Sequence, residues 1–174
     1  MDDRQIPRVA ILSAGFFALS LIAIPVGPTS VHLLLGGLMG LVLGPAVFVS
    51  LFAALLLQAM MFGFGGLTAL GVNAVNIALP AVVFGALFAP LVARAAPGRA
   101  AVLGGVCASF CVVATALMVA GAFALSSPDY ALSAQIMADA YIPLAVIEGV
   151  VTAFCISFVK RVRPDLLALT AREA

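Results

Sequence analysis

The chain contains a single histidine, His32, and its imidazole is the side chain best suited to bind a metal ion. Glycines follow it at four-residue intervals, at Gly36, Gly40 and Gly44. In a helix, this spacing places the ring at the end of a face without side chains, where another helix can pack closely. Burial and the positive end of a helix both disfavour imidazolium, so the ring would offer a neutral nitrogen to Ni²⁺, Co²⁺ or Cu²⁺. A hydrogen-bonded core histidine at a helix end is the alternative interpretation.

One imidazole does not make a selective metal site, because such a site needs at least three further donors. The polar residues expected to line a cavity beside His32, or to hydrogen-bond its ligands, are amides, hydroxyls and one carboxyl: Ser30, Gln58, Thr68, Asn73 and Glu148. Glu148 could accept a hydrogen bond at the site, or it could be a protonated carboxyl that closes a helix contact. Asn76 lies three residues after Asn73; we expect Asn73 to support the site and Asn76 to pair structurally. No sequence motif implies a prosthetic group.

The three cysteines, Cys107, Cys111 and Cys155, are expected in the opposite halves of their helices from His32. Cys107 and Cys111 share a helix face because they are four residues apart. We interpret all three as ordinary packing thiols, and a disulfide is not expected on a reducing cytoplasmic side.

The elements that must position these residues are membrane helices. Charged residues make up 9% of the chain, against about 25% in soluble domains. The 85 residues between Arg8 and Arg94 include no Asp, Glu, Lys or Arg, and the mean hydropathy is +1.29. The composition predicts one integral membrane domain over residues 1–174, an all-α bundle whose solvent is the lipid bilayer. The net charge of +1 gives no reason to expect nucleic-acid binding.

Glycine, proline and charge divide the chain into six predicted membrane segments. They cover residues 9–24, 31–43, 46–64, 72–93, 100–125 and 140–159. The second segment is short for a full crossing. Pro28, followed by Thr29 and Ser30, predicts its helix start, and Pro45 after Gly44 predicts the next one.

Basic residues near segment ends predict which side is cytoplasmic. The tail after residue 159 and the 94–99 loop carry Lys and Arg, whereas the 125–139 loop carries Asp129 and Asp139 and no base. Six crossings with both termini in the cytoplasm place every basic cluster on one face. This topology puts the polar residues near His32 in the outer half of the membrane, where they would face one another inside the bundle.

The stretch 26–45 around His32 resembles the second-helix region of the CbiM/NikM family. The resemblance continues through residues 57–73, 76–80 and 147–154 and into the basic 160–164 tail. Members of this family are the substrate-binding membrane components of energy-coupling-factor transporters for cobalt and nickel. The resemblance implies an ATP-driven uptake system in the plasma (inner) membrane of a bacterium or archaeon. Its implied partners are a transmembrane coupling subunit, two cytoplasmic ATPases and a small accessory membrane subunit.

In the family the histidine matching His32 is a metal ligand, and an N-terminal Met-His-Ile segment on one further helix supplies the other donors. The complete family member therefore has seven helices. This chain begins Met-Asp-Asp-Arg, which resembles the family's connection between its first two helices. We expect that the sequence lacks that first helix and holds part of the metal site. The choice between Co²⁺ and Ni²⁺ as transported ion stays open.

Three other functions are considered. A substrate-binding component for an organic micronutrient would share the architecture, but its pocket should contain aromatics and Trp, and the chain has no Trp. A truncated membrane scaffold or assembly subunit that does not transport fits the expected loss of the first helix. An intramembrane enzyme is disfavoured because a single histidine forms none of the usual catalytic motifs.

Overall fold

The protein is built from α-helices. The computed structural model describes residues 6–22, 24–26 and 29–167, with side chains from residue 32 onward and in 6–22. The helices are α1 Ile6–Ser20, α2 Gly36–Leu43, α3 Val47–Phe62, α4 Leu70–Arg94, α5 Pro97–Ser126 and α6 Ala131–Val162. Short 3₁₀ turns at Gly44–Ala46 and Pro128–Tyr130 precede α3 and α6. Two short strands, β1 Ile24–Val26 and β2 Thr29–Val31, lie between α1 and α2.

By length and composition, four helical stretches of the described chain could cross a membrane: Gly36–Phe62, Leu70–Arg94, Pro97–Ser126 and Pro128–Val162. The first of them consists of α2 and α3, which are joined by the turn at Gly44–Ala46. Helix α1 is apolar but shorter, with 15 residues. Large apolar side chains point outward along these helices, including Leu125 at 92% exposure and Phe154 at 75%. Such a surface needs lipid around it, and the molecule is therefore a multi-pass membrane protein.

Helices α1 and α3 run in the same direction, side by side. The Ser13 and Ser50 hydroxyls lie 2.6 Å apart near one end of the pair. Towards the other end, Gln58 Nε2 donates to Ser20 Oγ. Since polar side chains in an apolar environment need hydrogen-bond partners, these two contacts fix the register of α1 on α3.

The chain reverses direction between α2 and α3. A Cβ at Gly36 would meet Ile77 and Ala81, and one at Gly40 would meet Ala81 and Gly85, so α2 and α4 run parallel. Helix α3 runs the other way, because its last turns reach the first turns of α4. The reversal occurs at Gly44–Ala46, where Gly44 has a φ of 55° that favours glycine. The predicted helix restart at Pro45 is confirmed.

Helix α5 packs antiparallel against both α4 and α6. On the α6 side, the Ser109 hydroxyl donates to the Ala145 carbonyl at 2.9 Å, and Gly105 contacts Gly149 backbone to backbone. On the α4 side, the thiols of Cys107 and Cys111 donate to the carbonyls of α4 at 3.5 and 3.6 Å. All three cysteines carry free thiols.

Two predicted boundaries are wrong. Thr29 and Ser30 do not begin a helix: β1 and β2 pair antiparallel, with Ile24 opposite Val31 and Val26 opposite Thr29, while Pro28 lies outside the described residues. A short apolar run rich in β-branched residues suits a strand as well as a helix. Helix α6 begins at Ala131, nine residues before the predicted position, because the hydropathy pattern detects the apolar part of a helix and misses its polar first turns.

The basic residues gather at one end of the bundle. Lys160 Nζ donates to the Ala93 carbonyl at 2.6 Å, which joins the ends of α4 and α6. Beyond α6, Arg163 forms a two-point ion pair with Asp165, and the guanidinium lowers the pKa of that carboxyl. The shared end agrees with the predicted clustering of basic residues, and its assignment to the cytoplasm stays a prediction.

Candidate metal-binding cavity

A cavity of about 370 Å³ opens at the end of the bundle opposite the basic residues. It is enclosed by the segment before α2, the end of α3 and the loop after it, the start of α4, the end of α5 and the start of α6. Four of its lining residues carry amide or imidazole groups: His32, Gln58, Asn73 and Asn76. Most of the remaining wall is apolar. This is the arrangement expected of a small-ligand site, concave and apolar with a few polar groups.

His32 lies four residues before α2, in a non-helical segment, and not in the first turn of that helix. The predicted placement of its ring on the glycine face of the helix is therefore wrong. Its position is set by two contacts. The ring of Phe16 meets it edge-on, with centroids 6.2 Å apart. Its Nδ1 lies 3.0 Å from the carbonyl oxygen of Leu33.

The Leu33 contact determines the tautomer of the neutral ring. A carbonyl oxygen can only accept, so Nδ1 must carry the proton and donate it. Nε2 is then left with its lone pair, which is the form of imidazole that binds metal ions.

Gln58 and the two asparagines supply the other polar groups. Gln58 is 3% exposed, and its amide nitrogen is held by Ser20, whose own hydroxyl donates to the Phe17 carbonyl at 2.8 Å. Asn73 Nδ2 donates to the Gly65 carbonyl at 3.4 Å and so ties α4 to the loop that covers the cavity. Asn76 lines the cavity and makes no side-chain hydrogen bond within the described residues, in contrast to its expected role in structural pairing.

Glu148 does not line the cavity. Its carboxyl is fully buried and accepts hydrogen bonds from the backbone N–H groups of Leu34 and Leu35. Leu35 has a φ of 48° and is the only non-glycine residue with positive φ among those described. A leucine in this region carries a strain of about 1–2 kcal/mol, which neighbouring contacts must offset.

The other predicted residues lie apart from the cavity. Thr68 is exposed on the covering loop and does not line the cavity. The backbone of Ser30 pairs with Pro25 in the β1–β2 ribbon, and its side chain lies outside the described residues. Gly36 and Gly40 pack against α4, and Gly44 lies in the turn after α2.

Tyr141, Met137 and Phe123 also line the cavity, and sequence reasoning did not identify them. Tyr141 and Met137 are 9% and 7% exposed and lie on the first turns of α6. Met137 falls in what was predicted as an outer loop. Their spacing of four residues on one helix face was the signal that could have indicated a shared surface.

The donor set of the described chain is small. It contains no group of three His, Cys, Asp or Glu side chains able to hold a metal ion. The cavity instead offers one neutral imidazole nitrogen together with amide oxygens. Such a set can replace part of the hydration shell of a divalent ion without neutralising its charge.

Comparison with known proteins identifies the family. A family model described as CbiM, the cobalt uptake substrate-specific transmembrane region, matches residues 1–166. The chain belongs to the CbiM family. The resemblance drawn from the residues around His32 is thereby confirmed.

Individual relatives of this CbiM-family chain are transport proteins. A protein of Haemophilus influenzae, provisionally named a metal transport protein, is 32% identical over 178 residues, covering 98% of this chain and 84% of the relative. The fused nickel transport protein NikMN of Rhodobacter capsulatus is 32% identical over 188 residues, covering 97% of this chain and 54% of the relative. A solved transition metal transporter superposes with a TM-score of 0.72 at 27% identity, covering 99% of this chain and 84% of that one.

Proposed function

We propose that this protein is the membrane-embedded metal-binding component of an ATP-driven cobalt or nickel uptake transporter. The observation that carries the proposal is the position of the single imidazole, which lines a cavity at the end of the bundle opposite the basic residues. Membership of the CbiM family supports a cobalt substrate, and similarity to a nickel transport protein supports nickel.

The cavity is proposed to open to the outer side of the membrane. The basic ends of α4 and α6 would then lie in the cytoplasm, in agreement with the positive-inside rule. Six crossings with both termini inside satisfy this orientation, because each helix from α1 to α6 reverses the direction of the one before it. Uptake systems of this kind operate in the plasma membrane.

Metal capture is proposed to begin at His32 Nε2. The nitrogen replaces one water of the hydrated ion, and the amides of Gln58 and Asn76 hydrogen-bond or replace others. One imidazole binds weakly, so we propose that the remaining donors come from a Met-His-Ile segment on an outward-facing helix, as the family resemblance implies.

Inward movement of the ion requires energy from other proteins. We propose that a transmembrane coupling subunit and two cytoplasmic ATPases drive it, with a small accessory membrane subunit as a further partner. No phosphate-binding loop of the Gly-Lys-Ser/Thr type occurs in the sequence.

The proposal is tested by uptake of radiolabelled Co²⁺ and Ni²⁺ in cells that co-express the chain with its coupling and ATPase partners. We expect His32→Ala to lower uptake by at least about tenfold, because a direct donor is lost. Thr68→Ala is the matched control, since Thr68 is a polar residue at the same end that does not line the cavity. Equal uptake by the wild type and His32→Ala would overturn the proposal and favour a scaffold or assembly role.

A further inference from the structure

A buried carboxyl on α6 is connected to His32 through a single peptide unit. Glu148 is fully buried, and its Oε1 accepts from the N–H groups of both Leu34 and Leu35, while Oε2 accepts from Leu35 at 3.1 Å. Both oxygens therefore act as acceptors for the backbone of the segment that carries His32. No Lys or Arg forms an ion pair with it among the described residues.

The segment just before α2 is held by this carboxyl. Leu34 and Leu35 precede the first residue of α2, so their N–H groups have no carbonyl partner inside that helix. Glu148 accepts from both N–H groups, and it lies on a different helix, 113 residues further along the chain from Leu35. Its contact also holds Leu35 at its positive φ.

The same peptide unit that contacts Glu148 also contacts His32. Leu34 N–H and Leu33 C=O belong to one planar amide, whose atoms move together. The N–H donates to Glu148, and the C=O accepts from His32 Nδ1 at 3.0 Å. Hydrogen bonds in series polarise one another, so a carboxylate on the N–H side makes the carbonyl oxygen a stronger acceptor.

We propose that Glu148 is a positioning residue for metal binding at His32 and acts through the Leu33–Leu34 peptide. The carboxylate orients the peptide, the peptide orients the ring with its proton on Nδ1, and Nε2 is left as the metal ligand. The chain of contacts resembles the carboxylate–histidine–metal arrangement of other metal sites, with a backbone amide inserted between carboxylate and imidazole. The metal-binding part of this inference rests on the proposed function.

The test uses the fact that the chain has one histidine. Protein labelled with ¹⁵N-histidine, in lipid nanodiscs, gives ring nitrogen signals from His32 alone. We expect the wild type to show the Nδ1–H tautomer. In Glu148→Gln an amide N–H₂ replaces one accepting oxygen, so we expect a mixture of tautomers. Co²⁺ affinity of the same variant, measured by calorimetry, is expected to fall about 10- to 100-fold.

Thr152→Val is the matched control. Thr152 lies on the same face of α6 one turn after Glu148, is fully buried, and its hydroxyl has no hydrogen-bond partner within the described residues. We expect the His32 ring signals and the Co²⁺ affinity of the Thr152→Val protein to equal those of the wild type. If Glu148→Gln does not fold, Glu148→Asp serves as the second variant. It keeps the carboxyl group, and we expect His32 to keep part of its Nδ1–H population.

Several results would overturn the inference. The Nε2–H tautomer in the wild type contradicts it, as does a Glu148→Gln protein with unchanged ring signals. If His32→Ala abolishes Co²⁺ binding while Glu148→Gln leaves the tautomer unchanged, the inference fails and the proposed function stands. If Glu148→Gln changes the tautomer while His32→Ala binds Co²⁺ like the wild type, the proposed function fails and the peptide relay stands.

Discussion

Gly40 of α2 and Gly85 of α4 meet backbone to backbone. A Cβ built on Gly85 would lie 2.7 Å from the carbonyl carbon and oxygen of Gly40, which is closer than real Cβ contacts allow. The two helices therefore approach as closely as their main chains permit, in the manner of small-residue packing in membranes. This contact places α2, and the His32 segment before it, against α4.

Gly40→Ala is expected to destabilise the protein. The new methyl would overlap the Ala81 carbonyl oxygen, so α2 must move away from α4 at a cost of about 1–3 kcal/mol or more. Gly121→Ala is the control, because nothing lies within 4 Å of its Cβ position. Thermal unfolding in detergent should show a lower midpoint for Gly40→Ala alone. A midpoint equal to that of the wild type would contradict the close contact.

Alanine substitutions at two glycines in the loop over the cavity distinguish the effect of backbone strain from an effect on metal affinity. Gly65 and Gly66 have φ values of 70° and 66°, so alanine at either adds a similar strain of roughly 1–2 kcal/mol. Alanine at Gly65 would also lie 2.8 Å from Asn73 Nδ2, whereas alanine at Gly66 meets only Thr68 at 3.7 Å.

We therefore expect Gly65→Ala to reduce Co²⁺ affinity more than Gly66→Ala, with similar losses of stability. Calorimetric titration and thermal unfolding of both variants measure the two effects separately. Equal Co²⁺ affinities would show that Asn73 does not contribute to the site.

Lys160→Met is expected to loosen the basic end of the bundle. The substitution removes the hydrogen bond from Lys160 Nζ to the Ala93 carbonyl, and a hydrogen bond to a charged group contributes about 1.5–3 kcal/mol when partly buried. Arg161→Met is the control, because Arg161 is exposed. Its free energy of unfolding should stay within about 0.5 kcal/mol of the wild-type value. Chemical unfolding of both variants in the same detergent provides the comparison.

Orientation in the membrane can be measured with single cysteines in a background where all three native cysteines are replaced by alanine. Gly66→Cys, at the cavity end, is expected to react with a membrane-impermeant maleimide in intact cells. Gly98→Cys, in the first turn of α5, is expected to react only after permeabilisation. The reverse pattern would place the cavity on the cytoplasmic side.

Addition of an outward-facing helix that begins Met-His-Ile should increase metal affinity by at least about 100-fold, because it would add several nitrogen donors to the one imidazole. Titration of the 174-residue chain and of the extended chain with Co²⁺ or Ni²⁺ makes the comparison. An extended chain whose added histidine is replaced by alanine is the control. Equal binding by all three proteins would exclude this source of donors.

Charged residues and prolines correctly indicated two of the breaks between helices. The short connection between Arg94 and Pro97 and the turn at Gly44–Ala46 both separate helices as expected. The β1–β2 ribbon was missed because a short run of Val, Ile and Thr has no periodicity that distinguishes strand from helix. Its consequence was the wrong helical placement of His32.

Three of the polar residues expected near His32 or at it line the cavity, whereas the contact that orients the His32 segment was not predicted. His32, Gln58 and Asn73 are polar groups in an apolar sequence, and such residues gather inside a bundle. The contact of Glu148 with Leu34 and Leu35 joins two distant parts of the chain and involves backbone N–H groups. Composition and spacing carry no information about a backbone partner of this kind.

Helix α6 has 32 residues, so it is about 48 Å long, whereas the hydrocarbon layer of a bilayer is about 30 Å thick. If its basic end lies at one membrane surface, its first turns, including Met137, stand above the other. The rim of the cavity at Met137 then lies at the level of the lipid headgroups, where an entering divalent ion can still be hydrated. Under the proposed function, the electrostatic barrier to a divalent ion would lie beneath the cavity, along the inward route through the hydrocarbon, and the proposed ATPase partners would supply energy for that step.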